Sequence, residues 1–467
     1  MMFQELSDKF SQNQALISDS GEILYYADIH MFSDRLKKNI KERSLVFCLC
    51  ENTVGSLCGY YSFIYNGIVP LMLDASIDKE LLSNLIKIYE PNYLWINDSL
   101  LFLYSDYEVK FSECNYSLVQ LSDKIVELND QLALLLTTSG STGSPKLVRL
   151  SYENIKMNAE SIVNYLNLSF EDRPITSLPM HYSYGLSVIN SHLISGATIL
   201  LTDKSIAQKE FWNFARVQKA SSMAGVPYTY EMLKRLRFFR MSLPDMKVLT
   251  QAGGKLSSNL VQEYAENASI TGKKFIVMYG QTEATARMSY LPFEYALEKS
   301  GSIGIAIPGG SFRLVDNDGT EITESNKDGE LVYLGKNVCV GYADCKEDLI
   351  KGDENNGKLY TGDIARRDKD GYYYITGRKK RFIKIYGNRV NLDAAEQIIK
   401  EITTSCACVG VDDKMLIYIT DTTKSEQCRN FISEKTGLNS KAFEVRVIDE
   451  IPKNTSGKVL YANLLNE

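Results

Sequence analysis

The sequence predicts an α/β protein in which a large N-terminal domain of doubly wound sheets carries a β-rich subdomain and is followed by a small α+β domain. Three observations predict it. Apolar, β-rich runs alternate with helical patterns up to about residue 280, short strands and Gly/Asp turns take over across roughly 300–375, and beyond Lys380 the alternation resumes on a smaller scale.

In the N-terminal part, runs at 44–50, 68–73, 93–96, 132–138, 175–178, 198–201, 246–250 and 274–278 are apolar and rich in branched residues, as strands covered on both faces require. Helical patterns such as 81–88 and 152–166 lie between several of them. This order predicts mostly parallel sheets with helices on their faces and ligands gathered at the carboxyl ends of strands. The stretch between Glu51 and Asp74 holds no charged residue and is long enough to cross a bilayer. Gly55, Gly59, Asn66-Gly67 and Pro70 interrupt it, so a buried helix, a turn at Asn66-Gly67 and a strand are expected, and no membrane span. Turns at Asp316-Asn-Asp-Gly319 and Asp368-Lys-Asp-Gly371 mark the β-rich subdomain. The tail is βαββα-like: a strand at 382–386, a helix at 392–402, strands near 406–411 and 416–420, and a helix at 426–436. The expected division is therefore 1–379, with 300–375 as its β-rich subdomain, and 380–467.

A chain of 467 residues with 44% apolar content can bury a large core. Its formal charge of −6 and the lack of a long basic run argue against nucleic acid and point to small molecules or a carrier protein as partners. Nine cysteines invite a search for metal or disulfide frameworks, but Cys48-x-Cys50 and Cys406-x-Cys408 lack zinc-finger spacing and have no nearby histidines. Alternate positions on buried strands account for both pairs. With no secretory leader in the sequence, free thiols and a cytoplasmic location are expected.

The segment Leu136-Thr-Thr-Ser-Gly-Ser-Thr-Gly-Ser-Pro-Lys146 follows a predicted strand. Small residues let backbone N–H groups and hydroxyls turn towards a polyphosphate, and the lysine adds positive charge, so the loop suits ATP. A Walker loop needs a second glycine where Pro145 stands and Ser or Thr where Leu147 stands, and an ordinary Ser/Gly surface loop is the plainer alternative. Four further segments follow in order: Met278-Tyr-Gly-Gln-Thr-Glu283, Tyr360-Thr-Gly-Asp363, Thr376-Gly-Arg-Lys-Lys380 with Lys384-Ile-Tyr-Gly-Asn-Arg389, and Pro452-Lys-Asn-Thr-Ser-Gly-Lys458.

Together these segments closely resemble the adenylate-forming superfamily, which contains acyl-CoA synthetases, the adenylation domains of peptide synthetases, and luciferases. The resemblance runs from about residue 20 to the C-terminus. It implies an AMP-forming acid–thiol ligase with ATP and Mg²⁺ as cofactors and CoA or a carrier-protein phosphopantetheine as acceptor. By that resemblance Thr138, Ser139, Gly140, Ser141, Thr142, Gly143 and Lys146 embrace the β- and γ-phosphates. Thr282 touches the α-phosphate, and Glu283 helps to hold Mg²⁺. Gly253, Gly254 and Tyr279 belong to the adenine side, Gly280 is a further ATP-binding residue, Asp363 takes the ribose hydroxyls, and Arg378 reaches ribose or phosphate. Lys458 bridges the attacking carboxylate and the α-phosphate. The C-terminal domain becomes a mobile lid hinged at Lys380, and Gly387 keeps the pantetheine tunnel clear.

The acid pocket departs from the resemblance. Where many acyl-CoA synthetases show Pro-x-x-His-x-x-Gly, this chain has Pro179-Met-His-Tyr-Ser-Tyr-Gly185, with Tyr182 at the histidine position and His181 one place earlier. His181, Tyr182 and Ser183 are the pocket candidates, with a packed core histidine as the other reading of His181. Ser183 falls where amino-acid adenylation domains carry an aspartate for the substrate ammonium, which favours a simple or hydroxylated acid. The alternatives are an acid–carrier-protein ligase of the peptide-synthetase adenylation type and a non-catalytic nucleotide-binding relative.

Overall fold

The computed structural model describes residues 3, 6–137, 146–379, 381–453 and 459–465. The chain forms two compact units, Met1–Ser311 with Leu334–Leu359, and Phe312–Tyr333 with Tyr360–Glu467.

The first unit is built on two large sheets. One has eight strands in the order Gly341–Ala343, Leu147–Ser151, Leu132–Thr137, Val69–Asp74, Leu45–Cys50, Tyr93–Asn97, Tyr116–Gln120 and Glu108–Glu113. Its central four strands are parallel, and antiparallel strands flank them on both sides. All six residues of Leu45–Cys50 are buried, as a run without polar alternation requires. The uncharged stretch forms helix Val54–Tyr65 and strand Val69–Asp74, with the turn at Asn66-Gly67 between them. Nearly every side chain of that helix is buried in protein, and no helix among the described residues is long and apolar enough to cross a membrane.

The second sheet has nine strands. Lys274–Tyr279, Val248–Gln251, Ser222–Gly225, Pro174–Ile175, Ile199–Leu201 and Gln14–Ser18 run parallel, and short antiparallel strands close both edges. The strand expected at 175–178 shrinks to Pro174–Ile175. Thr176 Oγ1 donates to backbone carbonyls of Leu200 and Thr202, and Ser177 Oγ donates to the Ala224 carbonyl. These hydroxyls take over acceptors at the strand's end, and the chain leaves the sheet towards Pro179.

The second unit holds the greater part of a four-stranded sheet of Gly310–Val315, Gly329–Gly335, Lys358–Arg367 and Tyr373–Arg378, where Gly/Asp turns predict a β-rich region. The tail then forms the hairpin Phe382–Ile385 with Asn388–Asn391, helix Leu392–Ile399, and a three-stranded sheet of Cys406–Val411, Lys414–Ile419 and Phe443–Val447. Helix Ser425–Thr436 connects the last two strands, which are parallel. Ile383, Ile385, Ile399, Met415, Ile417 and Phe443 are part of a separate apolar core in this tail. Two strands go beyond the expected βαββα order, Asn388–Asn391 and Phe443–Val447. The latter alternates apolar and charged residues on a half-buried face. All nine cysteines are free, and Cys48, Cys50, Cys406 and Cys408 lie buried on their strands.

Candidate active site

The Ser/Gly/Thr segment lies between two strands that pair with each other. Strand Leu132–Thr137 ends at its start, strand Leu147–Ser151 runs back antiparallel, and Thr137 pairs with Leu147. A Walker loop opens a helix instead, so the chain path excludes one. Thr138, Ser139, Gly140, Ser141, Thr142 and Gly143 lie outside the described residues. Lys146, the last residue of the motif, has its Nζ 3.6 Å from Asp344 Oδ2 and 5.6 Å from the centroid of the Tyr342 ring. Both ionic partners are largely exposed, so this pair is weak and leaves the ammonium available to a stronger anion.

Strand Lys274–Tyr279 leads into the second motif. The loop folds back so closely that a Cβ on Gly280 would overlap the carbonyl oxygen of Ala286, which is why glycine stands there. Met288 N donates to the Tyr279 carbonyl, and Ala286 N to that of Gln281. Thr282–Ala284 forms a single 3₁₀ turn. Its carbonyls are claimed from outside: Cys339 N donates to Glu283 O, and Asn337 Nδ2 donates to Ala284 O. The Glu283 carboxylate accepts a hydrogen bond from Tyr342 OH at 3.0 Å. Burial and the nearby Glu283 charge push the Tyr342 phenol up, so it stays a neutral donor. Lys146 and Glu283 thus meet on two sides of one tyrosine.

The pocket candidates sit where the second sheet's strands end. Tyr182 is the residue before helix Ser183–Ile194. Its hydroxyl lies against Gly253, whose φ is +82° and where a Cβ would come within 2.6 Å of that oxygen. A candidate of the acid pocket and one of the adenine side therefore touch. Burial raises the Tyr182 phenol to about 12. Gly254 follows, next to Pro227, and Gln281 Nε2 donates to Tyr279 OH. Ser183, the first helical residue, places its Oγ 3.1 Å from Thr282 Oγ1. His181 Nε2 is 3.6 Å from Asp74 Oδ2 at the end of strand Val69–Asp74. Burial holds the imidazole below its ordinary value, with Asp74 opposing in part, so the ring is neutral at pH 7.

In the second unit, Asp363 and Arg378 are paired across antiparallel strands, and Arg378 Nε lies 3.3 Å from Asp363 Oδ1. Thr361 Oγ1 accepts from Asp363 N and donates to the Leu331 carbonyl, which fixes the start of this strand segment. The Asp363 side chain is buried, whereas Arg378 is largely exposed. Gly387 forms the hairpin turn with Tyr386, at φ values of 82° and 49°. Two successive positive φ angles mark the two-residue hairpin turn that favours glycine at its second position. Lys380 and Lys458 lie outside the described residues.

Two features were not read from the sequence. Tyr342 has no motif of its own; only the return of Gly341–Ala343 beside Leu147–Ser151 brings it to Lys146 and Glu283. Arg287 is buried beside helix Ser183–Ile194, and its one signal was a lone charge in the otherwise uncharged run Ala284–Tyr290. As for a metal, no group of three His, Cys, Asp or Glu among the described residues could hold one alone. A half-buried, oriented carboxylate such as Glu283 fits Mg²⁺, a hard cation commonly bound by one or two carboxylates and the phosphates of its ligand.

Residues 3–343 match the family model described as AMP-binding enzyme. The chain is 25% identical to the 2-succinylbenzoate–CoA ligase of Bacillus mycoides over 452 residues, 91% of this chain and 89% of the relative. It is 29% identical to the long-chain-fatty-acid–CoA ligase of Yersinia pestis over 365 residues, 73% of this chain but 62% of the relative, less than two thirds of that protein's length. Among solved structures, the O-succinylbenzoate coenzyme A synthetase of Bacillus subtilis in complex with AMP superimposes with a TM-score of 0.82 at 19% identity, covering 100% of this chain and 98% of that one. ATP-bound MatB from Rhodopseudomonas palustris gives 0.82 at 22% identity, covering 99% and 97%. These likenesses establish a mixed α/β fold with a large N-terminal sheet domain and a smaller C-terminal domain.

Proposed function

Because the chain belongs to the AMP-binding enzyme family, we propose that it activates a carboxylic acid with ATP and passes the acyl group to a phosphopantetheine thiol. The carboxylate oxygen attacks the α-phosphorus, the bond to pyrophosphate breaks, and the resulting acyl-adenylate loses AMP when the thiolate attacks its carbonyl. The observation that carries the reading is the 3.1 Å contact between Ser183 and Thr282. It joins the first residue of the pocket helix to the residue assigned to the α-phosphate, so acid and phosphorus would meet where a helix N-terminus offers positive potential.

The remaining roles follow the charge that must be neutralised. The loop of Thr138 to Gly143 with Lys146 holds the outer phosphates, and Glu283, oriented by Tyr342, holds Mg²⁺, which when bound supplies positive charge to them. Gly253, Gly254 and Tyr279 shape the adenine slot, and Gly280 lets the ATP-binding loop fold back beside it. Asp363 accepts from the ribose hydroxyls, with two oxygens matching a vicinal diol, and Arg378 reaches ribose or phosphate. Residues 380–467 act as the lid, with Lys380 as hinge, Lys458 as the transition-state cation and Gly387 beside the thiol path. The relatives' names as CoA ligases support CoA as acceptor over a carrier protein, and nine free thiols suit the cytoplasm.

The test is acid-dependent ATP–pyrophosphate exchange with a panel of carboxylic acids, followed by mass detection of the thioester with CoA or a phosphopantetheinylated carrier protein. Exchange that requires the acid, and a thioester with one of the two thiols, is expected. ATP turnover indifferent to every acid would contradict the reading.

A further inference from the structure

Resting on the reading of acid activation above, we propose that Arg287 forms a subsite for a second carboxylate on the acid, so that the substrate is a short dicarboxylic acid. The guanidinium is 1% exposed, and its Cζ stands 4.4 Å from the centroid of the Tyr184 ring. Nε donates to Ser187 Oγ at 3.0 Å and Nη1 to Tyr165 OH at 3.1 Å, with Met278 Sδ as a further neighbour of Nη1. No carboxylate among the described residues pairs with it, and Nη2 makes no hydrogen bond there.

The other fully buried arginine among the described residues is not left that way. Arg149, equally buried, gives its hydrogen bonds to the backbone carbonyls of Val340, Tyr342, Lys351 and Gly352 and pairs with Glu354. A buried charge without a counter-ion is costly, and a planar fork of N–H donors is shaped for a carboxylate. An anion brought in by a ligand would supply the missing counter-charge.

Its place fits such a ligand. Arg287 follows Thr282 and Glu283 on the same loop, and its partners Tyr184 and Ser187 belong to the helix whose first residue, Ser183, touches Thr282. From Ser183 to Ser187 is about 6 Å along a helix axis, which is the span of a short diacid. An acid reacting at Thr282 would therefore carry its second carboxylate towards Arg287. The same charge repels an ammonium, in agreement with Ser183 standing where an amine-pairing aspartate would be needed.

The test is binding of succinate, glutarate and adipate against their monomethyl esters, measured calorimetrically on the full chain saturated with α,β-methylene-ATP. At least one diacid should bind tenfold or more tightly than its half-ester, and Arg287→Met should bring that ratio towards one. Half-esters binding as tightly as the diacids, or no measurable binding by any member of either series, overturns the proposal, and this comparison on the wild-type chain needs no variant to fold. Pyrophosphate exchange with the same acids separates the two readings: diacid-selective binding without exchange leaves the subsite standing and removes acid activation.

Discussion

Tyr342 donates its hydroxyl hydrogen bond to Glu283 Oε1 at 3.0 Å while Lys146 Nζ stands 5.6 Å above the same ring. One neutral aromatic side chain thus spaces the lysine of the phosphate loop from the carboxylate assigned to the metal. It fixes the carboxylate by a charge-assisted bond and leaves the ammonium unpaired by it. Tyr342→Phe removes the bond and keeps the ring. A hydrogen bond to a charged group contributes about 1.5–3 kcal/mol, and partial exposure reduces this, so roughly a tenfold rise in the Mg²⁺ concentration for half-maximal exchange is expected. Titrating Mg²⁺ in the exchange assay measures it; an unchanged Mg²⁺ requirement would contradict the assignment of Glu283.

Gly387 tests the separation of the two half-reactions. A Cβ there would meet nothing within 4 Å, but its φ of 82° is strained for any L side chain. Gly387→Leu therefore costs about 1–2 kcal/mol of stability through the backbone alone. Gly387→Asn tolerates the same conformation better and serves as the control for strain. Both variants should retain acid-dependent exchange, and Leu should slow thioester formation tenfold or more, followed by mass spectrometry. Equal loss of both half-reactions in Gly387→Leu, with Gly387→Asn normal in both, would contradict a role confined to the thiol.

His192 predicts how the first unit responds to acid. Burial holds its imidazole down at about 4, its ring Nδ1 lies 2.8 Å from the Val188 carbonyl, and Nε2 is buried without a partner. The unfolded chain therefore binds a proton at this site below the ordinary value of 6.5, whereas the folded chain does not until about 4. Stability is full above pH 6.5 and falls as pH drops through that window, by up to about 3 kcal/mol from this residue. Urea midpoints measured between pH 7 and pH 4 should fall less steeply for His192→Gln than for the wild type. Parallel curves would show that the ring is not held neutral.

Arg381 links the start of the tail to its C-terminal helix. Its Cζ lies 3.7 Å from the centroid of the Tyr461 ring, and Tyr461 OH donates to Glu396 Oε2 at 3.2 Å, the carboxylate that also pairs with Arg381. Tyr461→Ala removes a partly buried ring and leaves Glu396 short of a donor, so a loss of about 2 kcal/mol is expected in this unit. Because Tyr461 stands three residues after Lys458, exchange should fall more than overall folding does. Chemical denaturation monitored alongside exchange at low temperature checks both; full exchange in a destabilised variant would detach the tail's packing from Lys458.

The elements legible in the sequence are those whose signal is local. Leu45–Cys50 and Lys274–Tyr279 are near-continuous apolar runs because both faces are covered, and helix Tyr152–Leu166 carries a clear apolar face and a Ser151 cap. The motif loops at 138–146 and 279–283 follow such strands and could be placed at once. What was not legible depends on partners distant in the chain. Pro174–Ile175 is short because hydroxyls of Thr176 and Ser177 bond carbonyls of neighbouring strands. Tyr342 reaches Glu283 only through an antiparallel edge pairing with Leu147–Ser151, and Arg287 looked like any loop arginine until its burial left it without a counter-ion. Asn388–Asn391 holds a single apolar residue, and Phe443–Val447 alternates apolar and charged residues over only five positions, too little pattern to separate from loop before their pairing is known.

The most direct test of acid activation is acid-dependent ATP–pyrophosphate exchange by the full chain beside its Lys458→Ala variant. Exchange that needs the acid in the wild type and falls by ~10²–10³ in the variant is the predicted result, as loss of one cation at the developing phosphoryl charge requires. Wild-type exchange rates in the Lys458→Ala chain, or incorporation of label with no acid present, would contradict it.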